Sequence, residues 1–188
     1  MQGETNCPKQ LTKASYNKHM NISFFLTQLA HQAASIHSMC LGVSAEQARW
    51  KPEAESWSIL EVINHLYDEE REDFRTHVDQ LLNHPEQSWH LIDPMGWVTE
   101  RHYNGRDLEL SINNLLYERE QSLAWLSSLV APNWEAVRRA PWGEIRAGDV
   151  MASWAAHDVL HLRQLVELRW AYTVQMAKPY DVRYAGEW

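Results

Sequence analysis

Cysteine is nearly absent from the 188 residues. Cys7 and Cys40 stand alone, form no C-x-x-C, and offer no disulfide framework, which fits a reducing compartment. Seven glycines and seven prolines exclude collagen-like or low-complexity chains. No uncharged apolar run approaches 18 residues, so no membrane span is expected. The opening 21 residues, MQGETNCPKQLTKASYNKHMN, contain no apolar stretch of the secretory kind. Basic runs are also missing. With 17 Lys and Arg against 25 Asp and Glu, the formal charge is −8, and the electrostatic footprint of a nucleic-acid binder is lacking. These absences together point to a cytoplasmic protein that binds neither nucleic acid nor membrane.

What remains is 45% hydrophobic, with ten Trp and ten His. A chain of this length buries roughly 70% of its unfolded surface, enough for one core without staples. Residues 1–18 read as a polar leader and 19–188 as a single domain.

Four segments carry the three- and four-residue apolar spacing of helices. The first runs from about Asn21 to Leu41. The second starts at Ser58, where Ser58 and Glu61 form an S-x-x-E capping box and Trp57 and Val62 occupy staple positions; it is expected to end near Asn83, before Pro85. A third spans about Asp107 to the residues before Pro132. The fourth begins between Ala147 and Asp149 and ends near Met176. Trp142 to Arg146 is a candidate short extended piece. Four amphipathic helices without a sheet specify an all-α fold, a four-helix bundle with long connecting loops. The connection from about His84 to Arg106 is long for a bundle and reads first as a lid packed by its own Trp residues.

The fourth helix contains His157-Asp158-Val159-Leu160-His161. Two His four apart stack on one helical face, where both rings can turn to one ion. Chance alone supplies about 0.5 such pairs in a chain this rich in His, so spacing decides nothing. Position says more: Val150, Met151, Trp154, Leu162, Leu165 and Leu168 form one stripe, and His157, Asp158 and His161 fall in it or on its edge. Polar groups there need hydrogen bonds or a metal. A metal-free buried His–Asp network is the rival to a metal site. His65, on the flank of the second helix beside Val62, is the candidate third ligand, although a flank position equally suits a surface histidine. His77 aligns with the core face and reads as a satisfied core histidine, while Tyr67 and Trp154 are candidates for a pocket lining.

Trp57-Ser58 at a capped helix start, His65-Leu66, Glu70-Arg71, Ala156-His157-Asp158, His161-Leu162-Arg163-Gln164 and the closing Val182 to Trp188 occur in an order that resembles the DinB/YfiT-like family. The resemblance implies a four-helix bundle with one divalent transition metal held by His65, His157 and His161. It implies activities of metal-dependent hydrolase or thiol S-transferase type on a small molecule, or a non-catalytic metal- or ligand-binding bundle. Three neutral imidazoles leave open coordination positions. Zinc is the first choice, nickel and ferrous iron also accept imidazole, and a low-molecular-weight thiol is compatible with such a site. Asp158 and Glu70 are expected to make buried structural hydrogen bonds, with orientation of a ligand imidazole as their second role. A homodimer through an apolar helix face is a further expectation.

Overall fold

A computed structural model of the chain describes residues 20–186. The polar leader 1–18, Cys7 and the final Glu187-Trp188 lie outside the described residues.

The first helix, α1 (Ile22–Cys40), starts on Asn21, whose side chain accepts from the Phe24 amide. It ends where Gly42 adopts φ 70°, a left-handed conformation that stops a helix and favours glycine. A short α2 (Ala45–Arg49) follows, capped by Ser44; the sequence periodicity gave no sign of so brief a turn. The second long rod opens on the expected capping box, with Ser58 Oγ accepting from the Glu61 amide and Glu61 accepting from the Ser58 amide. It comprises α3 (Ile59–Glu69), a π-helical turn (Glu70–Phe74) and α4 (Arg75–Asn83). The wide turn inserts one residue into the helical phase and turns both Glu70 and Phe74 into the core.

The long connection is not bare loop. It folds α5 (Pro94–Glu100) and a 3-10 turn (Tyr103–Gly105) against α3. Arg101 reaches Glu72 with both terminal nitrogens at 2.9 and 2.8 Å and also meets Asp68 at 2.8 Å. Tyr103 Oη donates to Asp68, and Arg106 donates to Asn64. At its start, Trp89 stacks on His77 with ring centroids 4.1 Å apart. His77 is buried and its two ring nitrogens meet Asp73 Oδ1 and the His90 carbonyl, as a satisfied core histidine should. The segment is a strap latched to one rod.

Helix α6 (Leu108–Ser128) is capped by Asp107. A two-stranded antiparallel hairpin, β1 (Val137–Ala140) with β2 (Gly143–Arg146), then leads into α7 (Ala147–Ala177). The extended piece expected near Trp142 is thus the second arm of a hairpin. Four long helical units form the bundle, and no described helix is long and apolar enough to cross a membrane.

The core has two apolar halves. Leu29, Phe74, Val78, Leu126, Met151 and Trp154 fill one; Ile36, Ile63, Leu66, Leu115 and Leu165 belong to the other. Between them each of the four long units carries a buried polar residue: Gln32 in α1, Glu70 in the rod, Arg119 in α6 and Asp158 in α7. Arg119 is the hub. Its Nε and Nη2 donate to the two Glu70 oxygens at 2.8 Å. Nη1 and Nη2 donate to Asp158 at 2.6 and 3.0 Å, and Nη1 also reaches the Leu29 carbonyl at 2.8 Å. All five guanidinium donors are thereby used. Trp154 Nε1 donates a third hydrogen bond to Glu70 at 2.8 Å. Burial alone would lower the Arg119 pKa, but the Glu70 and Asp158 carboxylates raise it, so the cation persists. Burial pushes the Asp158 carboxyl up, Arg119 pulls it down and Glu70 adds to the upward push.

Removing one member of a buried ion group strands its partners. Arg119→Leu is therefore expected to cost about 3–5 kcal/mol in urea unfolding, while a triple replacement of Arg119, Glu70 and Asp158 by Leu or Met recovers much of that loss. Equal losses in the single and triple variants would contradict this account.

Candidate metal centre

Three imidazoles from two helices meet at one end of the ion layer. His65 stands on α3, six residues after its Ile59 start; His157 and His161 stand one turn apart on α7. His161 Nε2 lies 3.0 Å from His157 Nε2, and His65 Nε2 lies 3.4 Å from the same atom. One ring nitrogen from each of the three lies within 4.8 Å of the others, a grouping able to hold a metal ion. His65 is 5% exposed, so the flank position read from periodicity is in fact interior.

Burial desolvates all three rings and lowers their pKa values: His65 to about 2, His157 to about 3, His161 downward. Mutual repulsion adds to this for His65 and His157, and Arg119 adds for His157. The rings are therefore neutral at pH 7, each with one lone pair. His161 Nδ1 faces Gln164 Oε1 at 2.8 Å, and donation there leaves Nε2 as the lone-pair nitrogen. Neutral rings facing one another through Nε2 cannot all satisfy those lone pairs mutually. Two nitrogens sharing a tetrahedral ion at about 2.0–2.1 Å lie about 3.3–3.4 Å apart, close to the observed spacings. The donor set fits a divalent transition ion.

A fourth group stands against the rings. Glu69 Oε2 is 3.1 Å from His157 Nε2 and 3.6 Å from His65 Nε2. Burial, then the neighbouring Asp73, pushes its carboxyl up to about 8. Sequence reasoning missed this residue. The signal was available, because Glu69 follows His65 by four and so shares its helical face. Arg119 was missed likewise, although it lies in α6 on the same stripe as Ile112, Leu115 and Leu126.

Of the other residues marked in the sequence, Glu70 and Asp158 turn to Arg119, and neither is hydrogen-bonded to an imidazole among the described residues. Trp154 is buried in the core, and Tyr67 lies beneath the Arg71 guanidinium at 4.8 Å. Aromatic walls come instead from Trp57, whose ring centroid is 4.8 Å from that of His65, and from Phe74, 5.1 Å from His157. A cavity of about 540 Å³ opens beside His161 and Trp57. No residue of the strap lines it.

The model of the DinB superfamily matches residues 28–165. No curated protein matches the chain. Among solved structures the chain is similar to YfiT from Bacillus subtilis, described as a probable metal-dependent hydrolase with an unusual four-helix bundle topology. The TM-score is 0.70 at 15% identity, covering 88% of this chain and 92% of that one.

The lowered imidazole pKa values set a pH dependence. Groups neutral in the fold but free to protonate near 6.5 once unfolded contribute stability above that pH and lose it as the pH falls toward about 3. Glu69 acts oppositely: its folded-state proton is held up to about 8 against 4.5 unfolded, so its own contribution falls as pH rises between those values. Three imidazoles outweigh one carboxyl below 6.5. Chelator-treated protein is thus expected to melt highest near neutrality and to lose Tm below about pH 6.5, with a shallower acid limb in His65→Leu. A Tm rising steadily down to pH 5 would contradict this.

Proposed function

The chain belongs to the DinB superfamily, and from that premise we propose that it is a metal-dependent enzyme, of hydrolase type, acting on a small molecule. The observation that carries the reading is the convergence of three imidazole Nε2 atoms with the Glu69 carboxylate 3.1 Å from one of them. His65, His157 and His161 would hold the ion. Zinc is the first assignment, and nickel or ferrous iron suits the same donors. When bound, a divalent cation there supplies Lewis acidity, polarising a substrate oxygen and acidifying water.

The chain's own residues supply the rest. Gln164 holds His161 in the tautomer with a free Nε2. Trp57 and Phe74 restrict water around the rings. In its ionised form Glu69 is placed to move the proton: as water adds to an acyl carbon, Glu69 takes one water proton, and as the carbonyl re-forms and the bond to the leaving atom breaks, it delivers that proton to the leaving atom. This role for a carboxylate favours hydrolysis over thiol transfer, in which a thiol replaces the water as nucleophile. YfiT, described as a probable metal-dependent hydrolase, supports the same class.

Protein purified without a His tag is expected to carry about one divalent ion per chain, lost in His157→Ala/His161→Ala. Equal metal in both samples would end the assignment. Glu69→Gln is expected to retain the metal and lose about 10²–10⁴-fold in turnover of whichever ester or amide a substrate screen identifies. Gln164→Leu is expected to weaken metal affinity about 10–100-fold; unchanged affinity would remove its orienting role.

A further inference from the structure

The cavity beside the imidazoles has a charge of one sign. Its walls are the segment of residues 52–57, including Glu55 and Trp57, and one face of α7, including His161, Gln164, Glu167 and Leu168. Glu55 and Glu167 are its carboxylates, and no Lys or Arg lines it. The nearby Lys51 is committed to Glu61 at 2.7 Å. Arg163 touches Glu167 at 3.4 Å, but it is 70% exposed and stands outside the lining.

A ligand reaching the rings therefore passes the Glu55 and Glu167 carboxylates, the latter also paired with Arg163, and no cation of the lining itself. An anionic end, whether carboxylate or phosphate, meets repulsion from both, and a cationic end meets attraction from both. The aromatic wall acts in the same sense. The Trp57 ring lies parallel to that of His161 with centroids 6.2 Å apart, and an indole face attracts a cation as well as an apolar segment. Glu167 lies six residues beyond His161, about 9 Å along the helix axis. An attracted cation is thus separated from the rings by several bonds of ligand. The volume of about 540 Å³ suits a small organic molecule of that length.

We infer that this site takes an amine-bearing substrate, its ammonium held by Glu55 and Glu167 and its apolar middle on Trp57, with its reacting end toward His161. The inference rests on the proposed function for calling the ligand a substrate. The charge preference itself needs no metal.

Three probes with one ring and one tether test it: 2-phenylethylamine, 2-phenylethanol and 3-phenylpropionate, positive, neutral and negative at pH 7.5. Binding is followed at low ionic strength through the Trp57 indole N–H signal, assigned with Trp57→Phe. The amine is expected to bind tightest and the acid weakest, about fivefold or more apart. Glu55→Gln/Glu167→Gln is expected to bring all three within about twofold, with helix content and metal stoichiometry unchanged. Acid binding as tightly as amine, an order that survives in the double variant, or no Trp57 response to any probe would overturn the inference. Metal stoichiometry measured on the same samples separates the two readings. A protein that takes no metal yet keeps the charge order sinks the proposed function alone, whereas one metal per chain without a charge order sinks this inference alone.

Discussion

One guanidinium ties the four helical units of this bundle together. Arg119 projects from α6 and bonds to Glu70 of the rod, Asp158 of α7 and the Leu29 carbonyl of α1. Apolar packing alone tolerates sliding of helices past one another, because dispersion and burial are weakly directional. A buried cation with five fixed donors is not so permissive, since a shifted helix would leave a charge unpaired. The layer also fixes the metal candidates. Glu70 directly follows Glu69, and Asp158 directly follows His157, so the bonds that set helix register also set where the imidazoles stand.

Desolvation governs the chemistry of the cluster. Burial of the rings and of Glu69 depresses the imidazole pKa values and raises that of the carboxyl. The same burial thus yields neutral nitrogen donors and a carboxyl able to hold a proton near neutral pH. Two groups with oppositely displaced affinities for protons stand about 3 Å apart.

The long connection serves the scaffold. Through Arg101 and Tyr103 it pairs the buried Asp68, and through Arg106 it satisfies the buried Asn64 oxygen. Burial alone would raise the Asp68 carboxyl; hydrogen bonds from Tyr103, Arg71 and Arg101 overcome it and hold the group below the usual range. The cavity beside His161 is lined instead by residues of the segment 52–57 and of α7.

Local physical rules made much of this legible in the sequence. The Ser58–Glu61 capping box, the 3.6-residue stripes and the short extended piece near Trp142 depend on neighbours in the chain, and they appear where expected. The pairing of His157 with His161 is likewise a property of one helix. Which side of α3 His65 faces could not follow from its own periodicity, because a flank residue becomes interior only when another helix lies over it. Arg119 passed unnoticed for the same reason: a charge on an apolar stripe has meaning only through its partners, and those come from other helices. Sequence determined the helices and their polar positions; tertiary packing decided which polar groups share one desolvated space, since that depends on distances between segments far apart along the chain.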